Sequence, residues 1–186
     1  KTYNVIPIVK RLFSGTETPI GIYQKLAGTN PDTFLLESAE QGVWGRYSFI
    51  GVASRGQLTA TGTTATWHGD CDALPDGAAL SEQPMKALEQ LQTAWTSSPV
   101  DFPLSSGLVG FLSWGAVNLI ESLPEPKEAE YEIPLYGFNQ FSQLVVLDHQ
   151  KSEILLVSVV FIDGEDLSTA HARALSEVAE LERRVA

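Results

Sequence analysis

The sequence predicts an α+β domain in which two or three helices pack on antiparallel strands. Short runs of aromatic and β-branched residues are separated by tight-turn residues, which is typical of strands in a meander. Three other stretches combine capping residues with apolar side chains at helical spacing. No internal repeat or low-complexity tract interrupts this pattern.

The first half of the chain predicts one helix and then a meander of short strands. Thr18-Pro19 is a typical helix start, and Gly28 is a typical helix end. A turn is expected at 30–32, because Asn, Pro and Asp stand there in sequence. Breaks are expected at Arg55-Gly56 and at Gly62. The predicted strands cover residues 33–38, 47–53, 57–60 and 64–67.

The second half predicts two more helices, a buried strand and a hairpin. Helices are expected from 81 to 91, through Met85, Leu88 and Leu91, and after Asp166 or Ser168, with a short one near 117–120 between them. Residues 107–113 predict a buried strand in which glycines allow close backbone approach. Residues 123–132 predict an exposed loop. The apolar side of the last helix is expected to carry Leu175, Val178, Leu181 and Val185.

The clearest hairpin joins two apolar runs, 143–147 and 154–161, through a polar turn. Almost every side chain in the second run is apolar, which is more than one wet face of a sheet would carry. We therefore expect 154–161 to form a strand that is covered on both faces.

Composition and charge exclude several classes of protein. The chain has 186 residues, of which 44% are hydrophobic, and its 12 Lys and Arg against 23 Asp and Glu give a net charge of -11. This acidity argues against nucleic acid and membranes as partners, because phosphate binding requires clustered cations. The stretch 154–162 is too short to span a bilayer. The single Cys71 cannot form an internal disulfide, which fits the cytoplasm.

The motifs of common enzyme classes are absent from the sequence. It contains no phosphate-binding loop, no dinucleotide fingerprint and no nucleophile elbow. The three histidines are scattered, and with one cysteine they do not favour a zinc site. We expect neither a catalytic residue nor a metal ligand in this chain. Because Lys1 stands where an initiator methionine would, we also expect a processed product or a piece of a longer protein.

The most informative segment is FLLESAE at 34–40, followed by WGRYSFIG at 44–51. Alternation on a strand places Phe34, Leu36 and Ser38 on one face and Leu35 and Glu37 on the other. A hydroxyl and a carboxylate thus end an apolar strand.

Arg46 begins the strand that follows. A site for a zwitterionic amino acid needs an acceptor for the ammonium, a cation for the carboxylate and apolar walls, and all three are present. The alternative is a surface ion pair of Arg46 with Glu37 or Glu40.

The same segment resembles the anthranilate synthase component I family. Two further stretches are similar to that family and occur in the family's order, GLVGFLSWGAVNLIESLP at 107–124 and LVVLDH at 144–149. The sister family, aminodeoxychorismate synthase component I, is matched nearly as well, so both remain open.

The resemblance implies that residues 1–186 are an N-terminal regulatory domain of antiparallel sheets packed face to face with two to three flanking helices. In this family that domain binds L-tryptophan as a feedback inhibitor in a pocket between its sheets. The carry-over implies that Ser38 lines the pocket and that Glu37, Arg46 and Tyr47 lie at or near it.

The resemblance further implies that the chorismate site and its Mg²⁺ belong to a C-terminal catalytic domain outside this chain. The parent protein would be a lyase that converts chorismate, with glutamine or ammonia, to anthranilate and pyruvate. A glutamine amidotransferase subunit would be its partner. We expect this chain to be non-catalytic alone and to hold no cofactor of its own. The alternative is a structural or docking module from the aminodeoxychorismate branch of folate synthesis.

Overall fold

The computed structural model describes residues 3–37, 45–121, 123–124 and 132–186. The described residues form seven strands, three α-helices and one 3₁₀ helix. In chain order these are β1 (Val5–Phe13), α1 (Pro19–Leu26), β2 (Phe34–Leu36), β3 (Tyr47–Thr61), β4 (Thr64–His68), α2 (Pro84–Ala94), β5 (Leu108–Leu112), the 3₁₀ helix (Trp114–Leu119), β6 (Tyr136–Asp148), β7 (Glu153–Phe161) and α3 (Leu167–Val185).

All seven strands join one antiparallel sheet, and the predicted α+β class is confirmed. The order β1-β7-β6-β3-β2 forms its first half. In the second half, β4 pairs with β3 and β5 pairs with β6. The strands β3 and β6 are long enough to run through both halves, with 15 and 13 residues. The two halves therefore share their central strands.

The boundary between the halves lies in β3, where the pairing with β6 shifts register between Gly51 and Gly56. The break that we predicted at Arg55-Gly56 is wrong, because the chain continues there as one bulged strand. The turn at Gly62 is confirmed, and its φ of +58° is one that glycine adopts without strain. The predicted strands 47–53 and 57–60 are thus a single strand, β3, which pairs with β2 and forms a hairpin with β4.

Helices cover both halves of the sheet on different faces. In the first half, α1 and α3 pack on residues of β3, β6 and β7 to form one core cluster, and aromatic and aliphatic side chains form a second cluster on the opposite face. In the second half, α2 packs on β3 and β6, where Leu91 and Tyr136 are fully buried. The core therefore lies on both sides of the sheet.

The strand β7 confirms the expected two-sided burial. It lies between β1 and β6, and every residue from Ile154 to Phe161 is buried. The predicted hairpin with β6 is present, with Leu147 opposite Ile154. Val159 belongs to one core cluster, and its neighbour Val160 packs against Ala170 and Ala174 of α3 on the other face.

The helix ends follow the predicted capping residues. The Oγ1 of Thr18 accepts a hydrogen bond from the backbone N–H of Gly21 at 3.1 Å, and Gly28 has a φ of +57° after α1. Asp166, rather than Ser168, caps α3 and accepts from the N–H of Thr169 at 3.0 Å. The turn at 31–32 is also present.

Two predictions about apolar helix faces are corrected. Leu175 is 50% exposed, because the buried stripe of α3 passes through Ala174 instead. In α2, Leu91 is buried as expected, but Met85 is 40% exposed and Ala87 takes the buried position in the first turn. In both helices a small alanine packs closely against the sheet where a larger side chain was expected.

The strand β5 differs from prediction in burial but not in its close packing. Among the described strands it pairs only with β6, and Phe111 and Leu112 are exposed rather than buried. A Cβ on Gly110 would lie 1.8 Å from the carbonyl oxygen of Gly137, which confirms the predicted close backbone approach. The loop predicted at 123–132 lies mostly outside the described residues. No helix in the described part of the chain is long and apolar enough to cross a membrane.

Candidate functional site

The predicted site residues gather at one end of the sheet. Leu36, the last residue of β2, lies opposite Phe49 in antiparallel register. The residue that follows β2, Glu37, therefore lies at the same end of the sheet as Tyr47, the first residue of β3, and Glu37 is exposed. Ser38, the central residue of the predicted pocket, lies outside the described residues.

An apolar wall lies on one face of the sheet at this end. Alternation places Tyr47 and Phe49 on the same face, and their ring centroids are 6.0 Å apart. Leu36 is opposite Phe49 and remains 44% exposed. Phe34 continues the wall and contacts the ring of Phe141 edge-on, with centroids 5.8 Å apart. The wall is only partly buried, so it offers apolar surface that another group can cover.

The guanidinium of Arg46 is held beside this wall by a carboxylate from another hairpin. Its Nε donates to Oδ1 of Asp148 at 3.0 Å, and its Nη2 donates to Oδ2 at 2.6 Å. Its Cζ lies 4.8 Å from the centre of the Tyr47 ring. The ion pair that the sequence suggested with Glu37 is replaced by this pair with Asp148, and Glu40 lies outside the described residues.

Asp148 is buried, with a side chain only 3% exposed, whereas the Arg46 side chain is 30% exposed. Its Oδ1 also accepts from the backbone N–H groups of Gln150 and Lys151 at 3.1 and 3.2 Å. The hydrogen bonds from Arg46 are the main reason that the pKa of Asp148 lies below its ordinary value. The same contact raises the pKa of Arg46.

His149 makes a second connection between the β6–β7 turn and the start of β3. Its backbone N–H donates to the carbonyl oxygen of Arg46 at 2.9 Å. Its ring Nε2 lies 2.8 Å from the Oγ of Ser48, which is buried. The sequence placed Asp148 and His149 in the polar turn of the predicted hairpin and in the LVVLDH stretch, but it assigned them no role in a site.

The arrangement is suited to binding a small molecule. It combines a fixed cation, an exposed carboxylate and a partly covered aromatic wall, which together can hold a small zwitterion with an apolar side chain. Among residues 3–37, 45–121, 123–124 and 132–186, no group of three or more His, Cys, Asp or Glu side chains could hold a metal ion.

Another arginine, Arg55, lies at the bulge of β3 with its side chain only 8% exposed, and it has a structural role. The Cζ of Arg55 lies 4.7 Å from the ring centre of Trp95 and 4.5 Å from that of Phe161. Its guanidinium donates to Asp163 at 3.0 Å and to Oε1 of Gln140 at 3.1 Å. Arg55 therefore joins the bulge to the end of β7 and to the segment after α2.

Comparisons with known proteins agree on one relationship. No family model matches the chain. It is 36% identical over 187 residues to anthranilate synthase component 1 of Arthrobacter globiformis, covering 97% of this chain and 35% of that protein. It is 30% identical over 168 residues to the protein of the same name from Thermus thermophilus, covering 90% of this chain and 34% of that one.

The fold is also that of a solved structure. Anthranilate synthase component I from Streptococcus pneumoniae superposes with a TM-score of 0.59 at 16% identity, covering 93% of this chain and 37% of that one. The chain thus spans about a third of the length of the relatives that it matches. The resemblance found in the sequence is confirmed, and along nearly its whole length this chain is a homologue of part of anthranilate synthase component 1.

Proposed function

We propose that this chain is the regulatory domain of an anthranilate synthase component I and that the site at the end of β2 and β3 binds L-tryptophan. The observation that carries the proposal is the guanidinium of Arg46, held by Asp148 beside an aromatic wall that is only partly buried. Glu37, the last described residue of the LLES segment at 35–38, lies at the same end of the sheet, so all three parts of an amino-acid site are present at this end.

Each part of tryptophan has a complementary group in this proposal. Arg46 offers a cation to the α-carboxylate, and Glu37 offers an acceptor to the ammonium. Tyr47 and Phe49 offer aromatic surface to the indole, whose large apolar area gives most of the binding free energy. Ser38 is proposed to line the same pocket.

The chemistry is assigned to a domain outside this chain. The homologues are about three times as long, and a catalytic domain in the remaining part would convert chorismate, with glutamine or ammonia, to anthranilate and pyruvate. Any Mg²⁺ would belong to that domain. A glutamine amidotransferase subunit would supply the ammonia. Tryptophan bound here would inhibit only by favouring one of two states of the whole protein.

An assay of anthranilate fluorescence tests the proposal. The full-length protein, with chorismate, Mg²⁺ and ammonia, should form anthranilate and should be inhibited by L-tryptophan. The 186-residue chain under the same conditions should form none above a buffer control. Formation of aminodeoxychorismate in place of anthranilate, or activity that tryptophan does not change, would contradict the proposal.

A further inference from the structure

We propose that Asp148, in the turn between β6 and β7, is a positioning residue that presents Arg46 to the carboxylate of the bound effector. This inference rests on the proposed function and extends it to a residue outside the LLES and WGRYSFIG segments. Asp148 is 102 residues from Arg46 in sequence and meets it only through the register of β3 and β6.

Asp148 is itself held in place. Its backbone pairs with Glu153 across the hairpin, and its carboxylate accepts from the N–H groups of Gln150 and Lys151 in the turn. Oδ1 therefore accepts hydrogen bonds both from the backbone of the turn and from Arg46. A carboxylate bound to backbone donors has little freedom to rotate, so it acts as a fixed support.

Asp148 fixes the plane of the Arg46 guanidinium without covering it. Paired contacts to Nε and Nη2 define an orientation that a single contact would not, and the ring of Tyr47 lies against the same group. Nη1 is not part of the pair. The side chain of Arg46 as a whole remains 30% exposed, so part of its surface can still contact a ligand.

The backbone of Arg46 is held in place as well as its side chain. His149 restricts the start of β3, because its backbone N–H donates to the carbonyl oxygen of Arg46 and its ring is hydrogen-bonded to Ser48. Arg46 is therefore attached to the β6–β7 turn by its side chain and by its main chain. A cation fixed before binding loses less conformational entropy when the ligand arrives, which strengthens binding.

The experiment measures ligand binding by calorimetry in the full-length protein, with L-tryptophan and with tryptamine, which lacks the carboxylate. Asp148→Asn should weaken tryptophan binding tenfold or more and change tryptamine binding by less than twofold. Asp163→Asn is the matched control, since Asp163 pairs with a different arginine, Arg55.

A double-variant cycle decides the same question from tryptophan alone. If Asp148 acts through Arg46, Asp148→Asn should cost less than twofold in affinity when Arg46→Gln is already present. Melting temperatures are measured for every variant, and Arg46→Met, which also removes the charge, replaces Arg46→Gln if the latter does not fold.

Equal losses for tryptophan and tryptamine, or additive losses in the cycle, would overturn the positioning role while leaving the proposed function intact. A wild-type protein that does not bind tryptophan would overturn both.

Discussion

The ring of Phe34 occupies the space in which a side chain on Gly51 would begin. The two residues face each other across β2 and β3, and an ideal Cβ on Gly51 would lie 2.1 Å from Cε1 of the ring. The ring of Phe34 at the start of the short strand β2 thus packs directly on a glycine of β3.

Gly51→Ala should destabilise the protein by about 1–3 kcal/mol, because the methyl group and the Phe34 ring cannot both fit. Urea denaturation of the variant measures this change. In a Phe34→Ala background the same substitution should cost much less, since the space is then free. A full cost in both backgrounds would show that Phe34 is not the obstacle.

Val159→Asp and Val160→Asp should each destabilise the protein by several kcal/mol, roughly 3 or more, because the two side chains are buried on opposite faces of β7. Thermal melts give the comparison, with Thr66→Asp on the exposed face of β4 as the control. If either core variant melts at the wild-type temperature, that face of β7 is not buried.

Arg55→Lys should destabilise the protein by about 1–3 kcal/mol despite keeping the charge. A lysine cannot stack between the rings of Trp95 and Phe161 while also reaching Asp163 and Gln140. Chemical denaturation provides the measurement, and Arg173→Lys on the surface of α3 provides the control. Equal stability of wild type and Arg55→Lys would show that the stacked planar group is not required.

Asp148 should contribute stability that depends on pH. Its pKa in the folded protein is lowered below the ordinary 3.8, chiefly by hydrogen bonds from Arg46, so folding favours the ionised form. The contribution is therefore fully present above pH 3.8 and is lost as the pH falls through the lower, folded-state pKa. The stability difference between wild type and Asp148→Asn, measured in urea, should be constant near neutrality and shrink in acid. A difference that grows in acid would contradict the pairing.

Ser38→Phe, at a residue outside the described part of the chain, should weaken inhibition of the full-length protein by tryptophan tenfold or more, equivalent to ~1.4 kcal/mol or more of binding free energy. The added ring would take the place of ligand atoms. Uninhibited activity should stay within a few-fold, because the chemistry is assigned to another domain. Inhibition curves and melting temperatures are compared with wild type. Unchanged sensitivity in a well-folded variant would remove Ser38 from the pocket.

Local sequence patterns predicted the elements whose signals are contained within a few residues. The caps at Thr18 and Asp166 and the hairpin of β6 and β7 are of this kind. The strand β1 was not predicted, and it contains Pro7, a residue type that is rare inside strands. In the structure β1 lies at the edge of the sheet, paired with β7, where a residue without an N–H is tolerated.

The candidate site shows the same limit. The cation and the aromatic residues at 46–49 were visible as a segment, but the partner of Arg46 was not. Glu37 and Glu40 are near in sequence, whereas Asp148 becomes a neighbour only when β3 pairs with β6. The bulge at Gly51–Gly56 was also missed, because a glycine that bends a strand and a glycine that ends one look alike in sequence.

The long strands β3 and β6, which run through both halves of the sheet, determine how this domain unfolds. If either half opened alone, the remaining parts of β3 and β6 would be left with unpaired backbone groups along their length. Neither half is a unit that could melt independently, so unfolding should be a single cooperative transition. Amide protons near Ile50 in one half and Leu58 in the other, 8 positions apart in the same strand, should then exchange with solvent at similar, slow rates.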